Sequence, residues 1–272
     1  MGLKASKPDP NVRLQVIGCG MSRTGTASFS QAMEILLGGP VYHGGSQLVG
    51  AGEDHIRAWI RLSKHTPIES ELDRNTVLQE LKALLSGYTA VTDMPPILFT
   101  QELVELFPEA KVICTTRDPE GWWKSMEPIA AKTDTEAERN ERVLAFLLAL
   151  LPTMRYWKAF SDALRHGRFG ELFYRSGHNH PHPGQYQEHM EYVKRVVPPE
   201  RLWFYDIKEG WGPLCKILDC DVPNTPFPRV NDAEATDRII KTQIQRGMLA
   251  WTGVGATVAV VGFSFWRKWT AR

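Results

Sequence analysis

The chain is poor in cysteine, with four in 272 residues (Cys19, Cys114, Cys215 and Cys220), and their spacing matches no common zinc motif. That excludes a disulfide scaffold, and the four read as buried thiols of a reducing compartment. An excess of one charge is lacking as well. Against 32 Lys and Arg stand 31 Asp and Glu, a net charge of +1, so no nucleic-acid surface is expected. No apolar leader opens the sequence, so no cleaved secretion signal is expected. Repeats and long low-complexity linkers are lacking too. What is present, 43% hydrophobic and 23% charged residues, fits one sizeable α/β domain with appendages.

The most informative stretch is Leu14-Gln15-Val16-Ile17-Gly18-Cys19-Gly20-Met21-Ser22-Arg23-Thr24-Gly25-Thr26-Ala27-Ser28. A strand-type apolar run enters a turn of glycines and hydroxyl residues, and Phe29, Ala32, Met33, Leu36 and Leu37 leave it at helical spacing. Strand, loop and helix N-terminus together form an anion cradle, because the first N–H groups of a helix are free and its dipole favours negative charge. Two common uses of such a loop are excluded by what it lacks. Thr26 and Ala27 stand where a nucleotide triphosphatase needs its phosphate-binding Lys and Mg²⁺-binding hydroxyl. Arg23 stands where a dinucleotide fingerprint needs its third glycine. What remains is a phosphate cradle with an internal cation, and no metal ligand is expected.

Further along, apolar runs alternate with helical patterns. Strands are expected at 40–43, 88–92, 111–116 and 202–205, and helices over most of 53–86, at 97–106, after Pro119 and at 210–218. The segment 135–174 reads as helical with an aromatic stripe that suits a core. This alternation predicts a parallel sheet with helices on both faces, a three-layer α/β fold with ligands at the C-terminal strand ends. The cradle, His43, Asp93 and Arg117 all fall at such ends. The cluster His178-Asn179-His180-Pro181-His182 sits among Pro and Gly and reads as a solvated loop.

The C-terminal end is apolar and uncharged from 248 to 266, with Arg246 before it and Arg267, Lys268 and Arg272 after it. As a helix at ~1.5 Å per residue it reaches about 28 Å, close to the ~30 Å hydrocarbon core. Trp251, Trp266 and Trp269 sit where interfacial aromatics are enriched. The expected organisation is a flexible segment 1–12, a main domain 13–232, a linker helix 233–247 and a single-pass tail anchor 248–266, with the domain in the cytosol. Met1-Gly2-Leu3-Lys4-Ala5-Ser6 matches the N-myristoylation pattern, which makes Gly2 a candidate second anchor.

Ser22-Arg23-Thr24-Gly25-Thr26 resembles the phosphosulfate-binding loop of P-loop sulfotransferases, in the branch where Arg replaces Lys. Arg117, followed eight residues later by Ser125, resembles the pair that holds the donor's 3′-phosphate. Glu200-Arg201-Leu202-Trp203-Phe204-Tyr205 and Pro226-Phe227-Pro228-Arg229-Val230-Asn231-Asp232 extend the likeness to a group common in fungi and small-molecule pathways. The resemblance implies transfer of a sulfuryl group from 3′-phosphoadenosine 5′-phosphosulfate (PAPS), without a metal, to a hydroxyl of a small molecule. The anchor points to an apolar acceptor. It also implies donor-binding roles for Ser22, Arg23, Thr24, Gly25, Thr26, Ala27, Ser28, Arg117 and Ser125, and a catalytic role for Arg23. Val91-Thr92-Asp93-Met94-Pro95 takes the place of the segment that carries a catalytic His in cytosolic members. Asp93 is therefore the first candidate base and His43 the second. Two alternatives stay open: an elimination or cyclisation on the same fold, and a non-catalytic, membrane-tethered nucleotide-binding protein.

Overall fold

A computed structural model describes residues 4–130, 135–174, 181–230 and 232–270. Five strands, β1 (Val16–Gly18), β2 (Val41–His43), β3 (Ala90–Thr92), β4 (Lys111–Thr116) and β5 (Leu202–Asp206), form one parallel sheet in the order β2-β3-β1-β4-β5. Period-two alternation sends consecutive residues to opposite faces. Val16, Val41, Ala90 and Ile113 join the core under α1 (Thr26–Leu37) and α11 (Trp211–Leu218). Ile17, Tyr42, Val91, Val112 and Cys114 join the larger core on the other face. Both faces are covered, as a parallel sheet requires.

The larger face carries α2 (Gly44–Gly50), α3 (Glu53–Lys64), α4 (Glu71–Leu84), α5 (Thr100–Leu106), α6 (Pro119–Ala130), α8 (Trp157–His166), α9 (Arg168–Phe173) and α10 (Gln185–Val196). Their buried contributions include Trp59, Leu81, Leu103, Trp122, Phe160, Phe173 and Val193. The expected helical stretch 53–86 is two helices. Pro67, which has no N–H to donate, lies in the break, and α4 restarts on Ser70, whose hydroxyl accepts from Asp73 N–H at 3.1 Å. The expected helix 97–106 begins instead as a 3₁₀ turn, Pro96–Phe99, because Leu98 N–H bonds the Pro95 carbonyl three residues back at 3.0 Å. A buried ion pair between Arg168 and Glu102 joins α9 to α5, and burial pushes the Glu102 carboxyl up from its ordinary range.

Three sequence expectations need correction or limitation. Cys19, Cys114 and Cys215 are buried free thiols as expected, but Cys220 is exposed. His182, expected in solvent, is buried, with Nε2 3.4 Å from the Phe173 carbonyl and 3.4 Å from Glu188 Oε2. His178, Asn179 and His180 lie outside the described residues, as does Gly2. Of the aromatic stripe, Phe160 and Phe173 are buried in the core, Tyr156, Phe169 and Tyr174 pack partly buried against it, and Trp157 is exposed.

The last helix, α12 (Asp232–Thr270), runs 39 residues without a break across the segments expected as linker and anchor. From Lys241 to Ser264 it is long and apolar enough to cross a membrane, by length and composition. Its foot rests on α7 (Thr135–Leu148): Trp251 Nε1–H donates to the Phe146 carbonyl at 2.9 Å, and the two rings stack with centroids 4.2 Å apart.

Candidate active site

The central strand β1 delivers the glycine-rich loop to the C-terminal edge of the sheet. Each glycine there answers to a crowded neighbour. A Cβ on Gly20 would stand 2.6 Å from both the backbone N and O of Thr115 on β4. Gly25 has φ +91° and begins α1 without any side-chain cap. The N–H groups of the first turn of α1 therefore have neither intrahelical nor side-chain partners, which is the requirement of a phosphate cradle.

The hydroxyls of the loop turn inward. Thr24 Oγ1 donates to the Met21 carbonyl at 2.7 Å and meets Thr115 Oγ1 at 2.6 Å. Ser22 and Thr26 both donate to Asp93 Oδ1, at 2.6 and 3.3 Å. Ser28 Oγ accepts from Val230 N–H at 2.9 Å. With Ser22, Thr24 and Thr26 donating to protein, and the Thr24 N–H itself bonded to the Met21 carbonyl at 3.2 Å, what Ser22 and Thr26 offer an anion is backbone N–H rather than side chain, and Thr24 shapes the loop.

Arg23 has φ +76°, a left-handed conformation uncommon for a non-glycine residue. Its Nε–H donates to Ser125 Oγ on α6 at 3.0 Å, across 102 positions of chain. Arg117, just past β4, donates from Nη1 to the Arg23 carbonyl at 3.3 Å. Arg23, Arg117 and Ser125 are thus brought together. Among the described residues no carboxylate pairs with Arg23. Among the same residues Arg117 has only the adjacent, exposed Asp118 at 3.9 Å. This is an accumulation of positive charge that suits a doubly charged ligand.

The second cluster lies on the β3 side of the loop. Asp93 follows β3 at φ +68°, is buried, and accepts a third hydrogen bond from Gly45 N–H at 3.3 Å. His43 closes β2 and caps α2, its Nδ1 accepting from Ser46 N–H at 3.4 Å. Its buried Nε2 faces Asp93 Oδ2 at 3.6 Å. Because Nδ1 is occupied as an acceptor, the neutral ring carries its proton on Nε2, towards Asp93. The close approach of the two strand ends depends on Gly44, where a Cβ would stand 1.8 Å from the Met94 carbonyl oxygen.

The sulfotransferase-domain family matches residues 15–236. The chain belongs to the sulfotransferase family. It is also 28% identical over 266 residues, covering 95% of this chain and 97% of the other, to a protein of Aspergillus versicolor named Ava biosynthesis cluster protein M. The sulfotransferase match ends at 236, before the apolar part of α12.

Several supports of the site were not legible in the sequence. Trp122 Nε1–H holds the Ser22 carbonyl at 3.0 Å, and His189, wholly buried on α10, donates from Nε2 to the Cys19 carbonyl at 2.7 Å. Burial pushes the His189 imidazole down to about 4. Gly45, Thr115 and Val230 also contact the loop or Asp93. Thr115 lies at the end of β4 and Val230 in the 226–232 stretch that carries the resemblance, but nothing local to either names its contact. A cavity of about 580 Å³ at the opposite edge of the sheet, among Gln15, Lys82, Gly87, Phe107 and Lys111, is far from this chemistry.

Proposed function

We propose that this sulfotransferase-family protein transfers a sulfuryl group from PAPS to a hydroxyl of an apolar small molecule, as a step in a biosynthetic pathway, while α12 holds it to a membrane as a single-pass anchor. The observation that carries this reading is the convergence of Arg23, Arg117 and Ser125 beside an uncapped helix N-terminus. PAPS would supply an activated sulfuryl group on a phosphate that can depart. The N–H groups of Gly25, Thr26 and Ala27, with Arg23, would hold the 5′ end. Arg117 and Ser125 would hold the 3′-phosphate.

Arg23 is suited to stabilise negative charge on the departing phosphate oxygen, a task that fixed dipoles and a cation perform without reorganising. Asp93 is suited to take the acceptor's proton. It lies within hydrogen-bond reach of the loop through Ser22, so the proton sink and the phosphate site share one rigid frame. His43, with one nitrogen committed to Ser46 and the other facing Asp93, is a positioning residue for that carboxylate. An apolar acceptor suits a protein with a bare apolar helix, because such a molecule concentrates in the same bilayer. The relative's name, a biosynthesis cluster protein, supports the pathway setting.

The test is titration of the detergent-solubilised full chain with adenosine 3′,5′-bisphosphate beside ATP with Mg²⁺, followed by incubation with PAPS and fractionated apolar hydroxyl compounds. Micromolar bisphosphate binding and a product heavier by one SO₃ support the reading. Preference for ATP with Mg²⁺ overturns it. A product lighter than its substrate, without sulfate, assigns the fold to elimination or cyclisation instead.

A further inference from the structure

The apolar surface does not end with α12. Val143 and Phe146, three positions apart on one face of α7, are 55% and 58% exposed, and Leu150 in the following turn is 40% exposed. Large apolar side chains left bare in a contiguous group mark a surface that something covers. Here the group is continuous with α12, because Phe146 is the residue on which Trp251 stacks. Gly247 allows the close approach, since a Cβ there would stand 2.4 Å from the Leu147 carbonyl oxygen. The contact stops there: from Thr252 to Ser264 the helix is exposed throughout. So the packing of α7 on α12 does not extend past Trp251.

The depth of that contact can be read from the charges. Arg246 is the last charged residue before the uncharged run, and Trp251 lies one turn and a half beyond it, about 7 Å along the axis. An interfacial tryptophan sits at this level, and the apolar face of a helix lying on a bilayer is buried by ~5–10 Å. A bilayer that accepts α12 therefore reaches the Phe146 ring.

We propose that the C-terminal end of α7 and the turn after it form a second membrane contact, with Val143, Phe146 and Leu150 in the interfacial layer of the bilayer that α12 enters. The inference rests on the reading of α12 as an anchor. It changes what that anchor does. A single helix alone leaves the domain free to tilt, whereas a second apolar contact fixes one face against the lipid.

The experiment is lipid quenching of a fluorophore on single cysteines in the full chain. In a Cys220→Ser background, Val143→Cys, Leu150→Cys, Val258→Cys and Leu72→Cys are labelled with an environment-sensitive thiol probe. Each protein is reconstituted in phosphatidylcholine vesicles with brominated acyl chains. The expected result is strong quenching at 258, at least roughly half as much at 143 and 150, and none at 72, which is exposed on α4. Quenching at 258 with 143 and 150 behaving like 72 overturns the second contact and leaves the anchor standing. Absence of quenching at all four overturns the anchor and the proposal with it. Probes at 143 and 150 that are shielded from lipid and self-quench as protein concentration rises would assign the ridge to a second copy of this chain, which also overturns it.

Discussion

The Ser22 hydroxyl donates to Asp93 Oδ1 at 2.6 Å across 71 positions of chain. The bond joins the loop after β1 to the residue after β3, neighbouring parallel strands whose ends lie side by side. It gives Asp93 a fixed place relative to the phosphate cradle, and from this follows a separation of binding from turnover.

Asp93→Asn keeps the shape and most hydrogen-bonding capacity but cannot take a proton. It is expected to lower kcat by about 10²- to 10⁴-fold, with the bisphosphate dissociation constant changed by no more than a few-fold. Calorimetry and sulfate-transfer assays on the same preparation measure the two effects. Turnover near that of the unaltered protein would remove Asp93 as the base. His43→Ala is expected to cost less than Asp93→Asn, as suits a residue acting through another.

Arg117→Ala is expected to weaken adenosine 3′,5′-bisphosphate by about 1.5–3 kcal/mol, the range of a charge-assisted hydrogen bond, or roughly ten- to a hundredfold. The same substitution should leave affinity for adenosine 5′-phosphosulfate nearly unchanged, because that ligand lacks the 3′-phosphate. An equal loss for both ligands would mean that Arg117 acts through Arg23, whose carbonyl it touches.

Gly44→Ala places a methyl 1.8 Å from the Met94 carbonyl oxygen, so the ends of β2 and β3 must part. Overpacking of this kind costs about 1–3 kcal/mol, and His43 and Asp93 should separate with it. The expected outcome is a lowered Tm and greatly reduced turnover, with bisphosphate binding retained. Unchanged turnover would show that the His43–Asp93 approach is dispensable.

The buried His189 predicts a pH dependence of stability. Its folded value of about 4 lies below the ordinary imidazole value of 6.5, so between those two pH values the unfolded chain binds more protons. Its contribution is complete above 6.5 and is lost as pH falls towards 4. A tenfold difference in proton affinity between the folded and unfolded chain is worth about 1.4 kcal/mol, so the loss amounts to about 3 kcal/mol. The stability measured by denaturant melts between pH 7.5 and 4.5 should fall most steeply in this window. The fall should flatten in His189→Gln, which can still donate to the Cys19 carbonyl. An unflattened profile would place the dependence elsewhere.

Much of this site was legible because its parts are local in sequence. The loop before α1 declares itself by glycines and hydroxyls, and the Arg117–Ser125 spacing lies within one strand end and one helix. The strand alternation sufficed for the sheet, because Val16 and Ile17, or Val41 and Tyr42, bury on opposite faces. What could not be read were contacts made by topology alone. Nothing near His189 says that it will sit under Cys19, and nothing near Gly45 says that its N–H will meet Asp93. Those depend on which strands become neighbours. The burial of His182 likewise follows from α10 and the Phe173 carbonyl rather than from its polar neighbours.

The hydrogen bond from Val230 N–H to Ser28 Oγ leaves a single residue between a contact with the first turn of α1 and the start of α12. Under the proposed anchoring, a domain so mounted samples a plane at a set height rather than a volume. Its encounter rate with a lipid-soluble molecule then depends on the number of molecules per area of membrane. Diluting the lipid with more lipid, at constant total acceptor, should slow it as surely as removing acceptor.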